Sequence, residues 1–219
     1  MTPAARTPTL LAAALLITGC GIARNAYYNA WEKFGYAKRE RLADSVKAAR
    51  DEQDGAKTQF TSALDQFKQL TNFQGGDLEA MYNKLKGEYD TCSGKSDAVK
   101  GRIQTVRNVG SSLFSEWSGE IGQIQDESLK NSSQSLFDKT KADYDSMLTR
   151  MDAAAASMQP VLTKFNDRVL YLKSNLNAQA IGSLAGKEAE LGKDIDELVK
   201  QMQASITEAD QFMAKLNAK

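Results

Sequence analysis

Apolar residues recur at alternating steps of three and four along nearly the whole chain after residue 40. That period marks amphipathic helices with a narrow, coiled-coil-like seam. The first run is Leu42, Val46, Ala49, Gln53, Ala56, Phe60, Ala63, Phe67 and Leu70, with Gln53 its only polar member. It stops at Asn72-Phe73-Gln74-Gly75-Gly76-Asp77, a turn with Asp77 placed to cap the next helix. The second run follows the seam from Leu78 through Tyr82, Leu85, Tyr89, Cys92 and Ser96. It goes on through Val99, Ile103, Val106, Gly110, Leu113 and Trp117 to Glu120 and Ile124. Glycines 87, 94, 101, 110, 119 and 122 weaken it, at ~1 kcal/mol each relative to alanine. A break is expected at Gln125-Asp126-Glu127-Ser128, with Asp126 or Ser128 as cap.

The third run begins Phe137, Lys141, Tyr144, Leu148, Met151 and Ala155, and continues Met158, Leu162, Phe165, Val169, Leu172 and Leu176. Its phase is kept across Pro160, so a kink is expected there and not a helix end. Gly182 and Gly186 read as the next turn. The last run includes Leu184, Glu188, Leu191, Ile195, Leu198, Met202, Ser205, Ala209, Phe212 and Leu216. Long helices joined by short turns pack antiparallel. The expected fold is all-α: an elongated antiparallel, coiled-coil-like bundle of three long helices, each roughly 70 Å, plus a shorter fourth of about 45–50 Å. Strict apolar–polar alternation is missing, so no strand pattern competes.

The start of the chain follows another rule. Residues 10–20, LLAAALLITGC, form a short apolar stretch that ends in a small residue and a cysteine. The stretch is too short to span a bilayer and lies within the ~7–15 residue range of a signal-peptide core. Ile17-Thr18-Gly19-Cys20 resembles the bacterial lipobox. That resemblance implies cleavage between Gly19 and Cys20, and acylation of Cys20 by three chains, palmitate among the acyl groups expected. One chain alone gives marginal anchoring, and more than one gives a stable anchor. The expected division is a signal peptide at 1–19, a lipidated Cys20 with a short tether at 20–26, and one helical domain at 27–219. Gly21 is not the aspartate associated with inner-membrane retention, so the expected place is the bacterial outer membrane, facing the periplasm.

Just past the anchor, YYNAWEKFGY at residues 27–36 holds five of the chain's 17 aromatics. Residues 24–50 carry seven Lys and Arg against three Asp and Glu. Together with the lipobox, the stretch Tyr-Tyr-x-x-Trp-Glu-Lys-x-Gly-x-x-Lys-Arg-Glu, from Tyr27 to Glu40, resembles a family of uncharacterised bacterial envelope lipoproteins with one helical domain. The resemblance implies a helical envelope protein and supplies no substrate, catalytic residue or cofactor. Tyr27, Tyr28, Trp31, Lys38, Arg39 and Arg41 form a candidate face for membrane or partner, since aromatic and basic side chains suit a lipid headgroup region. The packing alternative gathers Trp31 and Phe34 with Phe114, Trp117, Phe137 and Phe212 as an aromatic plug.

Composition narrows the chemistry. The chain has 28 basic and 28 acidic residues and no histidine. Removing residues 1–19 takes away only Arg6, leaving 27 against 28, which is no basic field for nucleic acid. Without histidine there is no histidine base or triad and no usual zinc or haem ligand set. No metal, cofactor or enzymatic activity is expected. With Cys20 lipidated, Cys92 is alone on the second seam, as a small hydrophobe or an intermolecular disulfide. Gly94-Lys95-Ser96 resembles the end of a phosphate-binding loop. Tyr89 stands where the first glycine is required, and no strand precedes the stretch. Asp143/Asp145 and Asp194/Asp196 are spaced i, i+2 and cannot share a helix face.

The leading functional reading is a non-enzymatic, tethered scaffold or docking protein of the cell envelope. Its expected partners are the membrane, through Cys20, and an envelope protein or peptidoglycan. The alternative is a carrier holding a lipid or small hydrophobic ligand within the bundle.

Overall fold

The computed structural model describes the backbone of residues 19–72, 75 and 77–217 and, of these residues, the side chains from 37 onward except 178 and 217. Two compact units are distinguished, residues 1–38 and 39–219. Of the first, the described part is the helical backbone from residue 19 and the side chains of Ala37 and Lys38.

The described residues form four helices and no strand. Helix α1 is Gly19–Thr71, α2 Leu78–Gln123, α3 Glu127–Ser174 and α4 Ala178–Asn217. They run 53, 46, 48 and 40 residues. In the second unit the cross-helix pairs fix the topology. Glu52 meets Lys95 at 2.9 Å and Gln59 meets Glu88 at 2.5 Å, so α2 descends as α1 ascends. Arg107 meets Asp152, and Tyr89 meets Phe165 edge-on, which sets α3 antiparallel to α2. Asp143 meets Lys215 and Lys164 meets Asp194, so α4 folds back along α3. Arg50–Asp210 and Thr71–Glu188 close the ring between α4 and α1. The bundle is up-down-up-down, each helix flanked by two antiparallel neighbours.

The helix starts follow from local chemistry. The Asp77 carboxylate accepts from the amides of Glu79 and Ala80, and Asp126 from those of Ser128 and Leu129. Each satisfies donors that a helix start leaves bare, a gain of ~1 kcal/mol over alanine. Asn177 does the same for α4, its Oδ1 2.9 Å from the Ala180 amide. Gly75 has φ +136°, in the region that L side chains rarely adopt, which accounts for glycine in the α1–α2 turn. Pro160 lies within an unbroken α3.

Every residue of the expected α1 seam from Leu42 to Leu70 is buried, Gln53 included. α3 buries a wider stripe: Met147, Ala154, Val161 and Arg168 join the expected positions, because a helix between two neighbours must cover both. Four expectations are corrected. Gly182 and Gly186 are interior to α4, and the turn is instead Asn175-Leu176-Asn177. α4 is therefore about 60 Å long and not 45–50 Å. Leu176, expected in the seam, is 37% exposed in that turn. At the end of α2 the phase advances by one residue, so Ile121 is buried where Glu120 was expected.

Candidate functional site

Near the C-terminal end of α2 the aromatic residues gather. Phe114 stacks on Trp117 at 6.3 Å between ring centroids and meets Phe137 edge-on at 5.7 Å. Trp117 also meets Phe137, at 5.4 Å. Tyr144 bridges the group to α4, 5.1 Å from Phe114 and 6.1 Å from Phe212. Its hydroxyl donates to the Val106 carbonyl at 3.2 Å, and burial pushes its pKa up to about 12. The four plug residues expected on α2, α3 and α4 are thus in one cluster, with Tyr144 as an unexpected centre. Trp31 and Phe34 lie outside the described side chains.

Beside this cluster is a cavity of about 240 Å³. Its apolar floor is Trp117, Leu136, Phe212 and Leu216. Arg39, Lys139 and Lys215 stand around it, with Thr140 and Asp143 between them. Asp143 is held by Lys215 at 2.8 Å, and the Thr140 hydroxyl donates to the Leu136 carbonyl at 2.8 Å. The cavity is lined from all four helices. Arg39 comes from α1, Trp117 from α2, Leu136 to Asp143 from α3, and Phe212 to Leu216 from α4.

The structure thus places one residue of the expected membrane or partner face, Arg39, in the wall of a cavity. Arg39 and Arg41 are exposed, Lys38 is half-buried, and Arg41 is not part of the lining. Tyr27, Tyr28 and Trp31, and the anchor residues Gly19 and Cys20, lie outside the described side chains. Lys139, Thr140, Asp143 and Lys215 were missed in the sequence. The sequence marks Asp143 only as half of an i, i+2 carboxylate pair. It faces α4, while Asp145 pairs with Lys141 along α3.

The remaining candidate chemistry is absorbed by packing. Gly94, Lys95 and Ser96 are helical, with Lys95 paired to Glu52 and Ser96 buried, so their amides cannot curl around a phosphate. Cys92 is fully buried, and burial, with the Glu88 carboxylate adding to it, pushes its pKa up to about 12. The thiol should therefore resist an aromatic disulfide reagent at pH 8 in the folded chain and react at once in urea. Because the folded pKa is raised, the unfolded state loses this proton first, near pH 9. Stability should then fall from pH 9 towards 12, and less steeply in Cys92→Ala. Rapid native labelling at pH 8 would contradict this burial. Among the described residues no group of three or more His, Cys, Asp or Glu could hold a metal, and no helix is long and apolar enough to cross a membrane.

A family profile of proteins of unknown function matches residues 27–216. The chain belongs to the DUF2959 family. The match spans all four helices, so the aromatic cluster and the cavity lie within the DUF2959 region. No curated protein and no solved structure matches the chain.

Proposed function

We propose that this DUF2959 protein is a lipid-anchored, non-enzymatic scaffold or docking protein of the bacterial cell envelope, held on the outer membrane by Cys20 and facing the periplasm. In this reading the domain is a coiled-coil-like rod of three long helices and a shorter fourth. Residues 24–50, with Tyr27, Tyr28, Trp31, Lys38, Arg39 and Arg41, give one end of the chain an affinity for lipid headgroups or for an envelope partner such as a protein or peptidoglycan. The observation that carries the reading is the run LLITGC ending at Cys20, shortly before the helical region that begins the family match at residue 27. The bundle interior supports it. A single apolar cluster runs from Leu42 to Phe212 through all four helices, which suits a rigid spacer.

The test is metabolic labelling with an alkyne palmitate, with membrane fractionation of wild type and Cys20→Ser. Label and membrane retention are expected in wild type and lost in the variant. In-cell crosslinking of the same pair reads out partners. An unlabelled wild type, or a variant that stays in the membrane fraction, would refute the anchor. A second reading, carriage of a hydrophobic ligand, is favoured by one observation: the cavity of about 240 Å³ floored by Trp117, Leu136, Phe212 and Leu216.

A further inference from the structure

The cavity at the end of α4 combines two features. Its floor is apolar and aromatic: Phe212 is buried, and Trp117, Leu136 and Leu216 are half-buried. Three of its four charged residues are cationic, and the single carboxylate, Asp143, is already engaged by Lys215. Arg39 and Lys139 are exposed and form no ion pair among the described residues. An apolar ligand alone would gain nothing from that rim, and a free inorganic anion would gain nothing from that floor. A ligand with an apolar chain and an anionic head would use both. The volume lies below the ~300–1,000 Å³ typical of sites that enclose a whole drug-sized ligand. It accommodates a stretch of one chain and not a two-chain lipid.

We propose that this cavity binds a single-chain anionic amphiphile, its chain against Trp117, Leu136, Phe212 and Leu216 and its phosphate or carboxylate at Arg39 and Lys139. The proposal rests on the ligand-carrying reading and is independent of lipidation at Cys20. The head chemistry has two natural sources, the carboxylate of a fatty acid and the phosphate of a lysophospholipid, which different probes separate.

Trp117 is a built-in reporter, because the chain has two tryptophans and Trp31→Phe leaves Trp117 alone. The test uses the full-length chain carrying Cys20→Ser and Trp31→Phe, titrated below the micelle concentration with dodecyl phosphate, dodecanoate, dodecyl maltoside or dodecyltrimethylammonium. A saturable Trp117 blue shift is expected with the phosphate or the carboxylate, the tighter of the two naming the source. The neutral and cationic probes should bind at least tenfold more weakly. Arg39→Glu and Lys139→Glu should each weaken the anionic probe by about tenfold with an unchanged circular-dichroism melt, while Lys173→Glu, on the far end of α3, should change nothing. Equal binding of all four probes would overturn the anionic selectivity and leave ligand carriage standing. No shift with any probe would overturn both, and neither result bears on the anchor at Cys20.

Discussion

Gly110→Ala should destabilise the bundle by about 2–3 kcal/mol, while the same change at Gly101 should stabilise it by about 0.5–1 kcal/mol. Both glycines lie in α2, where alanine is intrinsically the better helix former. At Gly101 nothing lies within 4 Å of an added Cβ, so only the helix gain remains. At Gly110 the added Cβ would stand 2.7 Å from Cε2 of Tyr144 and closer still to Cζ and Oη. The tyrosine ring cannot swing away. It is 4% exposed, wedged between Phe114 and Phe212, and tied by its hydroxyl to the Val106 carbonyl. Urea denaturation of both single variants checks the two signs. A double-mutant cycle with Tyr144→Leu isolates the cause, since shrinking the ring should remove most of the penalty. A stabilising Gly110→Ala would mean that the ring is free to move, and the aromatic cluster would lose its rigid centre.

The opposite signs at Gly101 and Gly110 show what periodicity could and could not reveal. Both glycines read in the sequence as local weaknesses of one helix. Only the second was also in the seam, and nothing in the spacing said which large side chain would lie over it. α1 was fully legible from Leu42 to Leu70 because its step of three and four never falters. The wider stripe of α3 was not, since the sequence does not tell how many neighbours a helix must cover. Glycine is a common stop signal, but it does not set the α3–α4 turn. Asn177 makes the cap, with its side chain on the Ala180 amide, and Gly182 and Gly186 are exposed within α4. The cavity was the least legible feature. Its walls come from residues 39, 117, 136–143 and 212–216, one group from each of the four helices. Register between helices is a tertiary quantity, set here by pairs such as Asp143–Lys215 that no local pattern foretells.

Gln53→Ala should cost about 2–4 kcal/mol, Ser205→Ala about 1–3 kcal/mol, and the double variant Gln53→Leu/Ser205→Ala close to nothing or less. Gln53 is the one polar member of an otherwise apolar α1 seam, and it is fully buried. Its Oε1 accepts from the Ser205 hydroxyl at 2.9 Å, across the α1–α4 interface. Its Nε2 has no partner among the described residues, and neither has the buried hydroxyl of Ser96 on α2. A buried amide with one bond made and one unmade contributes little net stability. Truncating Gln53 leaves both a void and a stranded serine hydroxyl, so it costs more than truncating Ser205. Replacing both polar groups with apolar ones of similar volume removes the desolvation penalty instead. Such a layer then has one clear physical use. A shift of α4 along α1 would bury both Ser205 and Gln53 against apolar neighbours, so the pair penalises every wrong register. The double variant is therefore expected to melt no lower than wild type by circular dichroism, but with broader amide dispersion lines in its NMR spectrum. A double variant that is much less stable than wild type would show that the Gln53–Ser205 bond stabilises the fold outright and is not a device of register.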